Sequence, residues 1–204
     1  MGRRRSAGER TPPWGNHGSW RPRRFYAGDR RIEIVWRHNT GRLLADAEIA
    51  RIAQRALEAG EAPTNSSLGI VLADDEELAE LNLEYMGEAG PTDVLSFPLL
   101  ARESFRTVPR ERRGFHPVAD PAMFVPPHSR LGLGDIVISV ERAIEQAEEG
   151  RGGQMGDAQW SPADELRLLI THGVLHICGW DHAEAAEEAN MRALERRLLE
   201  RGEG

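Results

Sequence analysis

The amino-acid sequence predicts an α/β (α+β) fold, and three observations support it. Four short apolar segments have the period or length of β-strands, helical spacing fills the intervals between them, and a capped helix late in the chain carries two histidines four residues apart. Ile32-Glu33-Ile34-Val35-Trp36 alternates as a half-buried strand does, and order is expected to begin there. Leu44 to Leu57 is helical, with Ile49, Ile52, Ala53 and Leu57 on one face and Gly60 as the stop. Leu68 to Leu72 is a second, more buried strand. Asp74 or Asp75 caps the next helix, which runs through Leu78, Leu81 and Leu83 into Tyr85. A loop from Gly87 to Thr92 leads to a third strand, Val94 to Phe97. Between Leu100 and Leu131 the periodicity dissolves; with five prolines, and six arginines against three acids, this stretch reads as a long surface loop. Gly134 to Ser139 is the fourth strand, Ser139 caps a helix to Glu149, and a glycine-rich break follows. A last helix, Ala183 to about Arg201, sets Ala186, Met191, Leu194 and Leu198 in an apolar stripe and leaves Glu187, Glu188, Arg196 and Arg197 mostly on solvated faces.

These 204 residues suit one domain, residues 31–201, behind an arginine-rich extension, residues 1–30, that reads as a disordered arm. All 26 basic residues are arginine, and nine fall within the first 31; less Glu9 and Asp29, that segment carries +7 and the remainder −14, against −7 overall. An acidic body argues against a broad nucleic-acid-binding surface and leaves the arm and the long loop as the two sources of a basic patch. No apolar run approaches the roughly 20 residues that span a bilayer, so no membrane partner is expected. The one cysteine, Cys178, cannot form an internal disulfide, and a reducing, cytoplasmic compartment is expected. No dimer signal is evident.

The chemistry concentrates in one segment. Ser161-Pro162-Ala163-Asp164 opens a helix with a serine cap, proline at its first position and an acid at the third. The helix reaches His172-Gly173-Val174-Leu175-His176-Ile177-Cys178, and Gly179 ends it. Helical residues four apart are rotated by only about 40°, so His172 and His176 can point two imidazoles at one ion. A left-handed turn at Gly179 lets the chain fold back, so that His182 can supply a third ligand. Three neutral imidazoles leave a fourth tetrahedral position for water, as hydrolytic sites require. Zinc fits such a set, and nickel or copper can also occupy it. Cys178, two residues beyond His176, points to a different face and reads as a small buried apolar residue. Asp181 can orient a ligand histidine or accept a proton, and an acid beside a helix end is as often a cap or solvent-exposed. His17, His38, His116 and His128 have no such spacing.

The His-x-x-x-His-x-x-Gly-x-x-His spacing also occurs in metzincin proteases, which place a glutamate directly after the first histidine as general base; Gly173 occupies that position here and argues against proteolysis. The full string His172-Gly173-Val174-Leu175-His176-Ile177-Cys178-Gly179-Trp180-Asp181-His182 instead resembles the signature of the YbeY family of rRNA-maturation endoribonucleases. Pro91-Thr92-Asp93-Val94-Leu95-Ser96-Phe97-Pro98, Gly134-Asp135-Ile136-Val137-Ile138-Ser139 and Leu81-Asn82 resemble further family segments, and the likeness spans roughly Ile32 to Leu199. The resemblance implies a single domain with a small mixed four-stranded sheet flanked by helices. It also implies one zinc-type ion on His172, His176 and His182, and metal-dependent cleavage of single-stranded RNA in maturing the small-subunit rRNA 3′ end and in ribosome quality control. Ribosomal RNA, the ribosome and assembly factors are the implied partners. The sequence departs from the family where an arginine usually precedes the glycine of the Pro-Thr-Asp loop: Met86 stands there, and its thioether cannot donate to a phosphate. Arg106, Arg110, Arg112 and Arg113 of the long loop are candidates to replace that charge. No catalytic side chain is assigned. Three classes follow: an endoribonuclease, a non-catalytic metal-stabilised assembly factor, and a metal hydrolase of another substrate.

Overall fold

The computed structural model describes residues 21–37, 42–105, 129–149, 160–182 and 184–200. They form five strands, β1 (Arg23–Ala27), β2 (Arg30–Trp36), β3 (Ser66–Ala73), β4 (Val94–Pro98) and β5 (Leu131–Ser139), and five α-helices, α1 (Asp46–Ala59), α2 (Asp75–Leu81), α3 (Val140–Glu148), α4 (Pro162–Ile177) and α5 (Ala185–Glu200). The sheet runs β1-β2-β3-β5-β4. Its centre is parallel, with β3 between β2 and β5, while the edge strands β1 and β4 lie antiparallel to β2 and β5. The mixed α/β architecture is the one expected, with one more strand.

That strand, β1, lies inside the segment read as a disordered arm, and order begins before Ile32. Its arginines hid it. Arg24 pairs across the ladder with Glu33 at 2.8 Å, and Arg23 reaches the buried Asp46 at 2.9 Å. Asp46 also accepts from Trp36 Nε1 at 2.8 Å and from Arg42 at 2.9 Å, tying two strands to the start of α1. A charged, short edge strand of this kind resists pairing with other chains. Residues 1–20 and most of the 100–131 loop lie outside the described residues; the loop's first part is anchored by Phe105, which is buried in the core.

One face of the sheet is covered by α1, α3 and α4. Ile32, Ile34, Leu68, Ile70, Leu72, Ile136 and Ile138 alternate down the strands to meet Ile49, Ile52 and Leu57 of α1 and Leu166, Ile170 and Val174 of α4. Among the described residues, α2 is the one α-helix on the other face, packed through Leu78 and Leu81 on Val71, Val137 and Leu95. α2 is capped by Asp74, which accepts from Glu77 N at 2.9 Å. It passes into a π-helical turn, Asn82–Met86, that ends at Gly87 with φ 73°. Buried Asn82 then donates to Gly90 O at 3.0 Å and fixes the loop leading to β4.

On the less covered face, Asp135 stands over Gly69, where a β-carbon would come within 1.9 Å of its carboxylate. Burial first, and then the neighbouring Glu33, push its carboxyl up to about 6. An acid with a raised folded-state pKa costs nothing below its ordinary value of 3.8; the penalty grows as pH rises through about 6. Asp135→Asn is therefore expected to gain roughly 2–3 kcal/mol of stability above pH 6.5 and nothing below pH 3.5. Denaturant unfolding at the two pH values checks this, and equal gains at both would contradict it.

Candidate metal centre

α4 carries the site because its sequence starts, seats and stops it at fixed places. Ser161 accepts from Asp164 N, Asp164 answers to the Ser161 backbone, and Pro162 opens the first turn. In mid-helix Gly173 lets α4 lie close on the sheet. A β-carbon there would sit 3.1 Å from Val94 and 3.2 Å from Ile136, and Ser96 Oγ donates to Gly173 O at 3.1 Å. A glutamate at this position would point into β4 and β5 rather than toward the histidines, which removes the metzincin geometry for a structural reason.

The helix ends in a Schellman turn. Gly179 N donates to His176 O at 3.0 Å, Trp180 N donates to Leu175 O at 3.1 Å, and Gly179 takes φ 81°. This reverses the chain within three residues and returns His182 to the face that bears His172 and His176. One ring nitrogen from each of the three lies within 4.8 Å of the others, a set that can hold a metal ion. His172 Nε2 and His176 Nε2 are 3.1 Å apart, close to the roughly 3.4 Å that two nitrogens at 2.1 Å from a tetrahedral ion would keep. His176 is held well below the ordinary histidine value, at about 4, by burial first and by His172 and His182 next. It is thus neutral at physiological pH and has a lone pair to offer.

Cys178 does not join them. It is fully buried against Gly60, and burial pushes its thiol up to about 12, where no thiolate forms. Asp181 accepts from His182 N at 2.8 Å, so it shapes the turn that carries His182. Arg106, Arg110, Arg112 and Arg113 lie outside the described residues, as do His17, His38, His116 and His128.

Two contributors escaped the sequence reading. Glu195 of α5, buried to 6% exposure, meets His172 Nδ1 at 2.7 Å. With Nδ1–H donated to this carboxylate, the lone pair of His172 stays on Nε2, facing His176. The signal was present, since Glu195 interrupts the Met191-Leu194-Leu198 stripe on its buried side. The second is Arg102, in the short 3₁₀ turn Arg102–Ser104 that follows β4. It pairs with Glu187 at 2.8 Å and Asp181 at 3.4 Å, so Glu187 is not merely a solvated charge. A cavity of about 600 Å³ opens beside the cluster, lined by His172, His176, His182, Asp93, Met86 and Arg102, among others.

Comparison with known proteins decides the relationship. The model of the family described as "Endoribonuclease YbeY" matches residues 36–203. The chain belongs to the YbeY family. A YbeY endoribonuclease of Salinispora tropica is 42% identical over 154 residues, covering 76% of this chain and 85% of the relative. That of Symbiobacterium thermophilum is 35% identical over 173 residues, covering 81% and 94%. That of Lachnoclostridium phytofermentans is 35% identical over 157 residues, covering 75% and 85%. The solution structure of TM1509 from Thermotoga maritima aligns over 84% of this chain and 88% of its own at 21% identity, with a TM-score of 0.47. No helix among the described residues of this YbeY-family chain is long and apolar enough to cross a membrane.

The contact between Glu195 and His172 yields a direct prediction. Glu195→Gln keeps the shape but removes the charge behind the imidazole, and is expected to weaken zinc binding on the order of 10–100-fold. Titration against a competing chelator measures this. An affinity within twofold of the parent would show that Glu195 only packs.

Proposed function

We propose that this chain is a metal-dependent endoribonuclease that cleaves single-stranded RNA in the cytoplasm. Its place is maturation of the small-subunit rRNA 3′ end and ribosome quality control, in contact with the ribosome or its assembly factors. One observation carries the reading: three imidazoles converge at the edge of an open cavity in a chain that matches the YbeY family over residues 36–203. His172, His176 and His182 would hold one ion, zinc by preference for nitrogen ligands, with nickel as the alternative. When bound, such an ion would supply Lewis acidity for phosphodiester hydrolysis.

The protein's own residues do the rest. Glu195 fixes the tautomer and plane of His172, and burial keeps His176 neutral and ready to coordinate. Asp93 sits in the cavity wall with Oδ1 accepting from Val94 N at 2.9 Å and Oδ2 from Gln146 at 3.2 Å, which braces the loop before β4. An irregular or single-stranded segment suits an open cavity better than an RNA duplex does, because unstacked nucleotides can be drawn in.

Met86 favours a second reading. It is 50% exposed on the cavity wall and offers no charge to a phosphate, as expected of an assembly factor that binds RNA without cutting it. Incubating the metal-quantified protein with an rRNA 3′-end fragment, beside His176→Ala and Met86→Arg, separates the two. The nuclease reading expects cleavage that falls at least 10²-fold in His176→Ala, together with loss of the ion. Bound metal without cleavage, and activity appearing only in Met86→Arg, would replace it with the assembly-factor reading. Cleavage surviving complete metal loss would contradict both.

A further inference from the structure

We propose that Arg102 is the guanidinium that receives an RNA phosphate in this cavity, an inference that rests on the ribonuclease reading above. Among the described residues that line the cavity, Arg102 is the one arginine. It shares the space with two carboxylates, Asp93 and Asp181, which a phosphodiester would meet as like charges. With a divalent ion on three neutral imidazoles, those acids cancel the ion's charge. Arg102 then supplies a positive group that a phosphate can pair with at the cavity, although Glu187 beside it offsets part of that charge.

Its placement is built rather than accidental. The 3₁₀ turn is pinned by Phe105, 1% exposed in the core, whose N–H donates to Arg102 O at 3.1 Å. The absent side chain of Gly179 makes room beside the cluster: a β-carbon there would lie 3.0 Å from Arg102 Cγ and 3.2 Å from its carbonyl oxygen. The guanidinium binds Glu187 through Nη2 at 2.8 Å and Asp181 through Nη1 at 3.4 Å, one bond to each. It therefore keeps donors in hand from its five N–H groups while its side chain remains 34% exposed. Glu187 competes for this guanidinium without using the whole fork.

A purely structural role, clasping the turn after Gly179 to α5, is the rival explanation, and Glu187 separates them. Fluorescence anisotropy of a short single-stranded RNA would be recorded with the zinc-loaded full chain across a salt series. Arg102→Ala is expected to weaken binding about five- to tenfold and to lower the slope of log affinity against log salt by about 0.7, the value of one single-strand phosphate contact. Arg102→Lys should recover part of both. Glu187→Gln, which cuts the clasp but keeps the guanidinium, should bind as the parent or tighter. Unchanged affinity and slope in Arg102→Ala, an equal loss in Glu187→Gln, or no RNA binding by the parent would each overturn the proposal. Cleavage, scored in the same samples, is independent. Arg102-dependent binding without cutting would reject the ribonuclease reading alone, and cutting unaffected by Arg102→Ala would reject this inference alone.

Discussion

The turn at Gly179 is the constraint on which the rest of the site depends. A helix alone can bring two histidines to one side, but a third ring must come from chain that has left the helix and come back. At φ 81°, Gly179 adopts the left-handed backbone that an L-residue with a side chain enters only at a cost of about 1–2 kcal/mol. Its lack of a β-carbon also admits the backbone of Arg102. One residue thus sets the return of His182, the position of Asp181 and the approach of the segment after β4. Moving the helix end by a single residue would rotate these groups by about 100° relative to the sheet and disperse them.

The second support comes from below. α4 is seated close on the sheet by Gly173, and its outer side is held by α5 through Met191 and Leu194 against Leu175. Burying Glu195 in that seam is costly for an isolated carboxylate, and the His172 N–H supplies its compensation. Packing of the last helix and orientation of a histidine are therefore one interaction. Anything that loosens α5 reaches the cluster directly.

Local features of the site were legible in sequence, while those depending on distant contacts were not. The cap at Ser161, the four-residue histidine spacing and the Gly179 stop are each written within a few neighbouring residues. Burial of Cys178 followed from its face of the helix. β1 was missed because arginines at positions 23 and 24 mask a Phe-Tyr strand whose charges are balanced by Glu33 and Asp46 only after folding. Glu187 and Arg102, 85 residues apart, could not be paired from spacing at all. Glu195 lay between: its position inside an apolar stripe signalled burial, but only the tertiary fold named His172 as its partner.

X-ray absorption at the zinc edge of the zinc-loaded protein decides whether these three imidazoles form one metal centre. One ion per chain is expected, with three nitrogen scatterers of imidazole type near 2.1 Å and one further light atom. A sulfur shell near 2.3 Å would bring in Cys178, and zinc retained in a His176→Ala variant with an unchanged spectrum would place the ion elsewhere. Either result would contradict the account.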